Sequence, residues 1–210
     1  MGLSSSAVRT DRFVWTEWQG LLIMAANRRD HLVDTALKLF YREGFHATGI
    51  EKILAESGVA KMTLYKHFKS KDELILAAVR RRDEQIRNWL MRTVERRSPS
   101  PRERLLAMFD VLEEWFSGPE FAGCMFINAS AEFGKDDDPI HAASAEHKRL
   151  VFAYVRELAT AAGAKNPEEL AEQLILIMEG AMSLAHVTGQ ASVARQARKA
   201  AEILVARALA

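Results

Sequence analysis

Hydrogen-bond donors are concentrated between residues 61 and 71. Hydroxyl, ammonium and imidazole groups are carried there by Lys61, Thr63, Tyr65, Lys66, His67 and Lys71. Such groups donate to phosphate oxygens, and exposed side chains near a helix start reach base edges in the major groove of DNA. Leu64 and Phe68 fall on the opposite side of the same stretch. One apolar face and one donor face are typical of a DNA-recognition helix, and also of a plain helical hairpin with a polar outer surface.

Sequence signals for the starts and ends of helices lie around this donor stretch. Thr48 followed by Glu51 predicts a capping box that opens a short helix. Gly58 tolerates a positive φ and is expected to end that helix. A third helix is then predicted from Lys61 to His67. The short helix, the glycine turn and the donor-bearing helix together predict a helix-turn-helix unit.

The remainder of the chain is also predicted to be helical. Ser70 with Glu73 forms a second capping box, and Ser-Pro-Ser-Pro at 98–101 ends the long helix that starts there. Apolar residues recur at helical spacing between breaks made of Gly, Pro and Ser. Besides the two short helices, the predicted helices cover residues 29–43, 71–96, 101–117, 121–133, 139–162, 167–189 and 192–209. We therefore expect an all-α protein with an N-terminal three-helix head and a C-terminal helical body.

Charge is distributed unevenly along a chain whose net charge is only +1. Residues 27–97 hold 16 Lys and Arg against 10 Asp and Glu, whereas residues 98–210 hold 11 against 16. A basic first part on an acidic remainder suggests that only the first part meets a polyanion, although a solvated charged surface has the same composition. The single cysteine, Cys124, excludes an intramolecular disulfide and favours the cytoplasm. No uninterrupted apolar run reaches the roughly 18 residues of a membrane span, so no membrane partner is expected.

Residues from about 29 to 80 resemble the DNA-binding head of the tetracycline-repressor (TetR) family of transcriptional regulators. The similarity lies in the stretches ALKLFYREGFHATGI, SGVAK and TLYKHFKSKDEL. It implies DNA-facing positions for Thr48, Lys61, Thr63, Tyr65, Lys66, His67 and Lys71, with Lys71 placed as a phosphate clamp. Met62 stands where Gly or Ala is frequent in the family. We expect it to touch a thymine methyl group, and the alternative is that it simply faces solvent. Leu54 and Ala60 depart from the usual residues, which puts the fine geometry of the head in doubt.

The resemblance also implies a domain organisation and partners. Residues 1–26 are expected to be a poorly ordered N-terminal extension, with Met24 as an alternative start of translation. Residues 27–75 would form the DNA-binding domain, and residues 76–210 the ligand-binding and dimerisation domain. Apolar residues cover more than one stripe of 170–186, which favours either a dimer interface or a deeply buried core helix. A homodimer would read double-stranded palindromic operator DNA.

An effector pocket is expected among bulky apolar side chains of the body. The candidate lining residues are Trp89, Phe109, Trp115, Phe116, Cys124, Met125, Asn128, Glu132, Phe152, Met178 and Met182. Cys124, Asn128 and Glu132 share one helical face at i, i+4 and i+8. Similar G-C-x-F-x-N stretches lie near the effector cavity in TetR-like regulators. Polar groups on such a face either satisfy backbone groups or meet a ligand.

Other functions find less support in the residues. No catalytic motif is recognised, so an enzyme is not expected, and neither is a cofactor. Cys124 has no Lys or Arg close in sequence to make it a reactive thiolate, and the spacing of His141 and His147 does not suit a metal site. We predict a repressor released from its operator by a small, largely apolar ligand. The alternative is a helical partner-binding or small-molecule carrier protein without operator specificity.

Overall fold

The computed structural model describes the backbone of residues 11–210 and the side chains of residues 27–210. Within this part of the chain all regular structure is α-helical. The helices are α1 (Asp11–Glu43), α2 (Ile50–Ser57), α3 (Lys61–His67), α4 (Lys71–Arg97), α5 (Pro101–Phe116), α6 (Met125–Glu132), α7 (Pro139–Ala161), α8 (Pro167–Thr188) and α9 (Val193–Leu209). The all-α prediction is confirmed. Residues 1–10 lie outside the described residues, and poor order in residues 1–26 stays a prediction. The backbone of residues 11–26 belongs to α1, which therefore starts before the predicted helix over 29–43.

The first three helices and the start of α4 form a head with its own core. Ile53 of α2 and Leu64 of α3 are completely buried, together with Phe40 of α1 and Leu74 of α4. The chain turns between α2 and α3 at Gly58, whose φ of 65° lies in the left-handed region. This arrangement is the predicted helix-turn-helix unit, and α3 has the predicted bounds.

The two predicted capping boxes have different outcomes. The hydroxyl of Ser70 accepts from the Glu73 amide at 3.2 Å and so caps α4, as predicted. The prediction at Thr48 is wrong, because α2 has Gly49 at its N-cap position and no side-chain cap. The Thr48 hydroxyl donates instead to the Gly44 carbonyl at 2.8 Å and is fully buried. A capping hydroxyl accepts a hydrogen bond from an amide of the helix that follows it. The Thr48 hydroxyl bonds instead to the turn that follows α1.

The long helix α4 belongs to both the head and the body. Leu74, Ala78 and Val79 are buried in its first half, and Leu90 and Val94 are buried in its second half. It packs against α1 on the head side and against α5 and α7 on the body side. A continuous helix is stiffer than a loop connection, so α4 joins the two parts without a flexible linker.

Helices α5, α7, α8 and α9 pack side by side in the body, and the short α6 lies on α7. The predicted helix over 121–133 is too long, since α6 begins only at Met125. Gly123 adopts a φ of 80°, and a Cβ atom there would lie 2.8 Å from the His186 ring. This close approach requires a glycine, and its left-handed backbone prevents helix formation over 121–124.

One described helix, α8, is long and apolar enough to cross a bilayer. This is weak evidence for a membrane protein, because core helices of soluble proteins pass the same criterion. One stripe of α8, including Leu174, Met178 and Met182, is buried within the protomer.

Candidate DNA-binding surface and internal cavity

The donor face of α3 is on the surface of the head. Met62 has 87% of its area exposed and Tyr65 has 47%, while Leu64 between them is completely buried. Lys61 and Lys66 are also exposed, whereas Thr63 and His67 are half-buried at the edges of this face. The structure thus brings the candidate residues of α3 together around one outward-facing helix surface.

Two of the candidate lysines are held by groups of the head. Lys61 Nζ lies 2.7 Å from a carboxylate oxygen of Glu51, and this hydrogen bond raises the pKa of Lys61. Both side chains are well exposed, so a phosphate can replace the carboxylate at little cost. Lys71 Nζ donates to the His46 carbonyl at 3.2 Å, which fixes the ammonium at the start of α4.

Thr48 is the exception among the candidate DNA contacts. Its side chain has no exposed area, and the segment around Gly44 covers it. The prediction that this side chain faces DNA is therefore corrected to a structural role in the turn between α1 and α2.

A carboxylate of the body forms hydrogen bonds with the turn between α1 and α2. Glu132, at the end of α6, accepts from the backbone amides of Phe45 and His46 at 3.0 and 2.6 Å. The His46 ring lies 2.6 Å from the same carboxylate and stacks on Phe133. Burial would raise the pKa of Glu132, but the amides of Phe45 and His46 and the His46 ring together lower it. Glu132 therefore links α6 to the head, and the prediction that it lines the pocket is wrong.

A cavity lies between α4, α5, α7 and α8, and the start of α6 also contributes to its wall. It offers about 50 Å³ of free volume. Its wall is apolar and aromatic for the most part, and includes Ile86, Trp89, Leu90, Leu112, Trp115, Met125, Phe126, Val151, Met178 and Met182. Six of the candidate pocket residues lie on this wall: Trp89, Trp115, Cys124, Met125, Met178 and Met182.

The remaining candidate pocket residues lie elsewhere. Phe109 is completely buried in the body core, and Phe116 packs behind Trp115 at a centroid distance of 5.9 Å. Phe152 is half-buried beneath the Arg156 guanidinium. Asn128 is half-buried outside the cavity wall. Cys124 is the N-cap of α6, and it alone of the three residues predicted to share a face lies on the cavity wall.

Several charged residues of the wall were missed by the sequence analysis. Arg82 and Arg87 come from α4, Lys148 comes from α7 and Glu179 comes from α8. Lys148 Nζ lies 2.6 Å from Glu179 and donates to the Cys124 sulfur at 3.4 Å. These contacts join segments that are far apart in sequence, so no local spacing of residues predicts them. In particular, a lysine does approach Cys124, although none is near it in sequence.

A buried histidine completes the polar side of the cavity. His147 Nδ1 lies 2.8 Å from Asp83, which also pairs with Arg87 at 2.6 Å. The His147 ring stacks on Phe126 at a centroid distance of 3.5 Å. Burial lowers the pKa of His147 to about 4. The ring is therefore neutral near pH 7, and among the described residues no group of His, Cys, Asp and Glu has a metal-binding arrangement.

The fold and this surface define a helix-turn-helix DNA-binding protein with a small, mostly apolar cavity in its body. Comparison with known proteins agrees. Residues 32–78 match the family described as "Bacterial regulatory proteins, tetR family", and residues 101–201 match "Tetracyclin repressor-like, C-terminal domain". The chain belongs to the TetR family of DNA-binding transcriptional regulators.

Individual relatives are similar to this chain over 65% to 97% of their own length. The crystal structure of SCO4454, a TetR-family regulator from Streptomyces coelicolor, is 30% identical with a TM-score of 0.82, covering 88% of this chain and 97% of that one. The HTH-type transcriptional regulator YjdC of Escherichia coli is 26% identical over 84% of this chain and 93% of its own length. The HTH-type transcriptional repressor NemR of Escherichia coli is 25% identical over 61% of this chain and 65% of its own.

The Glu132 contact yields a first prediction. Glu132→Gln should lower the free energy of unfolding at pH 7 by about 1 kcal/mol, because the neutral amide is a weaker acceptor for the three donors and the site is partly exposed. The lowered carboxylate pKa stabilises the protein above the unfolded-state value and ceases to do so as the pH falls through the folded-state value. Urea unfolding of parent and variant at pH 7 and pH 3 measures both effects.

The difference between parent and variant should shrink at the acid pH. Glu120→Gln provides the control, since Glu120 is exposed. Equal stability of parent and Glu132→Gln at pH 7 would contradict the role given to this carboxylate.

Proposed function

We propose that the protein is a homodimeric, cytoplasmic repressor that holds a palindromic operator and releases it when a small, largely apolar ligand enters the body. The observation that carries the proposal is the exposed donor face of α3, held rigid by a packed three-helix head. Tyr65 and Lys66 suit phosphate oxygens, and Met62 at the helix start suits a thymine methyl group. The relatives named above are transcriptional regulators, which supports a binding role over a catalytic one.

An exposed apolar stripe on α8 supports the homodimer. Leu176, Gly180, Leu184 and Val187 follow at helical spacing, and Leu176 and Val187 have 72% and 79% of their area exposed. Ile203 adds an exposed apolar side chain on the neighbouring α9. Contiguous apolar surface of this kind marks an interaction site. Gly180 lets a second helix approach closely, and a two-fold partner would bury the same stripe on both copies.

Two helices, α4 and α6, connect the cavity with the head. This connection supports release of the DNA by a ligand. Helix α4 supplies Trp89 and Leu90 to the cavity wall and Leu74 to the head core. The short helix α6 has Met125 on the cavity and, at its other end, Glu132 on the head. A ligand larger than the present free volume must displace side chains of the wall, and displacement of those on α4 or α6 would reach the head.

Displacement of the head would change DNA binding because it changes the distance between the two recognition helices of the dimer. In a dimer these helices enter successive major grooves only when their separation is near the helical repeat, about 34–36 Å, or a multiple of it. A ligand that binds better to a dimer of another spacing shifts the population away from DNA by its differential affinity. Repression is supported by the relative NemR, which is a transcriptional repressor.

The recognition surface predicts the effects of two substitutions. Tyr65→Ala should weaken binding to a palindrome selected in vitro from random DNA by about tenfold or more, since a base or phosphate contact is lost. Lys66→Gln should lower the slope of log affinity against log salt by about one, because one fewer counterion is released. Fluorescence anisotropy over a salt series measures both quantities.

Lys165→Gln is the charge-matched control for Lys66→Gln, since Lys165 is exposed in the loop between α7 and α8. It should leave the salt slope unchanged. If Tyr65→Ala and Lys66→Gln both bind DNA as the parent does, the recognition surface has been placed wrongly.

The proposed dimer interface predicts the effect of a further substitution on dimer dissociation. Leu184→Glu would bury an unpaired carboxylate twice in a two-fold interface, which should raise the dimer dissociation constant by about a hundredfold or more. Light scattering after gel filtration at micromolar concentration should then find a monomer. Ile127→Glu, at an exposed apolar position on α6, is the control and should remain dimeric. A dimeric Leu184→Glu variant would exclude this stripe as the interface.

A further inference from the structure

The cavity wall carries more positive than negative charge. Arg82, Arg87 and Lys148 contribute cations, and Glu179 contributes the only carboxylate among the described wall residues. His147 adds no charge near neutral pH because burial holds its pKa at about 4. An apolar cavity with charged groups on one side is typical of sites that bind amphipathic ligands.

Two of the three cations are already neutralised by partners. Arg87 makes a two-pronged contact with Asp83, with nitrogen–oxygen distances of 2.6 and 2.7 Å. Lys148 Nζ lies 2.6 Å from Glu179. Among the described side chains, no carboxylate forms an ion pair with Arg82. Arg82 is therefore the cation of the wall whose charge is not compensated by the described part of the protein.

The position of Arg82 is fixed by an aromatic ring. Its guanidinium lies over the Tyr41 ring, 4.7 Å from the centroid. The Tyr41 hydroxyl donates to the Gly123 carbonyl at 2.9 Å and accepts from the Ala122 amide at 3.0 Å, so the ring itself is held from two sides. The ring holds the guanidinium beside the cavity, and a guanidinium forms two parallel hydrogen bonds with a carboxylate or phosphate.

We propose that the effector is an apolar molecule with a single anionic group, which pairs with Arg82 while the apolar part lies between Trp89, Trp115 and Met178. The proposal rests on the proposed function, since it names the class of ligand for the same cavity. A cationic ligand would meet the uncompensated charge of Arg82. An uncharged ligand would leave that charge next to an apolar body, which is unfavourable without a partner.

The same contact gives the anion a route to the head. Tyr41 lies near the end of α1, within the head, and its hydroxyl joins α1 to the segment before α6. An anion that draws Arg82 toward the cavity removes the guanidinium from the Tyr41 ring. The contact between α1, α4 and the segment at 122–123 is then weakened where head and body meet.

The test uses three probes with the same ten-carbon chain: decanoate, decan-1-ol and decylammonium. Each is titrated into the parent dimer by calorimetry at pH 7.5, below its critical micelle concentration. Decanoate should bind about tenfold or more tightly than decan-1-ol, and decylammonium should bind most weakly. Each probe is then added to the parent bound to its selected palindrome, and decanoate should release the DNA at the lowest concentration.

Variants separate the charge of Arg82 from its packing. Arg82→Gln should bring the affinity for decanoate down to that for decan-1-ol and leave decan-1-ol unchanged, whereas Arg82→Lys should keep part of the preference. Arg92→Gln removes an exposed cation from the same helix outside the cavity and should have no effect. Circular dichroism confirms that each variant is folded.

The outcomes distinguish this proposal from the proposed function. Equal binding of the three probes, preference for decylammonium, absence of binding by all three, or an unchanged preference in Arg82→Gln would each overturn the anionic class and leave operator binding intact. Failure of the unliganded parent to select any palindrome would instead overturn the proposed function.

Discussion

The structure depends on one helix that serves two cores. The first half of α4 contributes Leu74 and Val79 to the head, and its second half contributes Leu90 and Val94 to the body. Because no loop interrupts it, the orientation of the head is tied to the packing around the cavity. Interiors of proteins are close-packed, so a volume change at one end of such a helix is transmitted as movement and not absorbed locally.

The cavity is small compared with the ligand that the proposed function needs. A free volume of about 50 Å³ accommodates only a small part of an amphipathic molecule. Binding must therefore move wall residues, of which Trp89 and Trp115 are the largest, with ring centroids 6.3 Å apart. Met125, Met178 and Met182 are unbranched and adapt to new shapes at low cost. This combination favours a cavity that opens on binding, and the energy for opening comes from burial of the ligand's apolar surface.

The head was predictable from sequence because its signals are local. The left-handed turn at Gly58, the cap at Ser70 and the apolar positions of α3 all act within a few residues of one another. Thr48 misled the analysis, since a Thr three residues before a Glu has the pattern of a capping box even where its hydroxyl closes the preceding turn.

The cavity was predictable only in part, for a physical reason. Bulky apolar residues such as Trp89 and Met182 could be proposed from composition, but which of them face the cavity depends on how five helices pack. The pairing of Lys148 with Glu179 and the reach of Glu132 to Phe45 cross 31 and 87 residues of chain, which no periodicity encodes. The glycine at 123 was visible in the sequence, whereas the His186 ring that requires it was not.

In the proposed mechanism, the filling of the cavity sets the spacing of the two recognition helices. Pulsed electron paramagnetic resonance measures this spacing directly, with spin labels at Met62→Cys in a Cys124→Ser dimer, where no other cysteine is present. Val151→Trp fills the cavity without any ligand, since Val151 lines its wall. This mechanism requires the substitution to displace the distance distribution between the labels from that of the unfilled dimer. An unchanged distribution in a folded, dimeric Val151→Trp protein would contradict it.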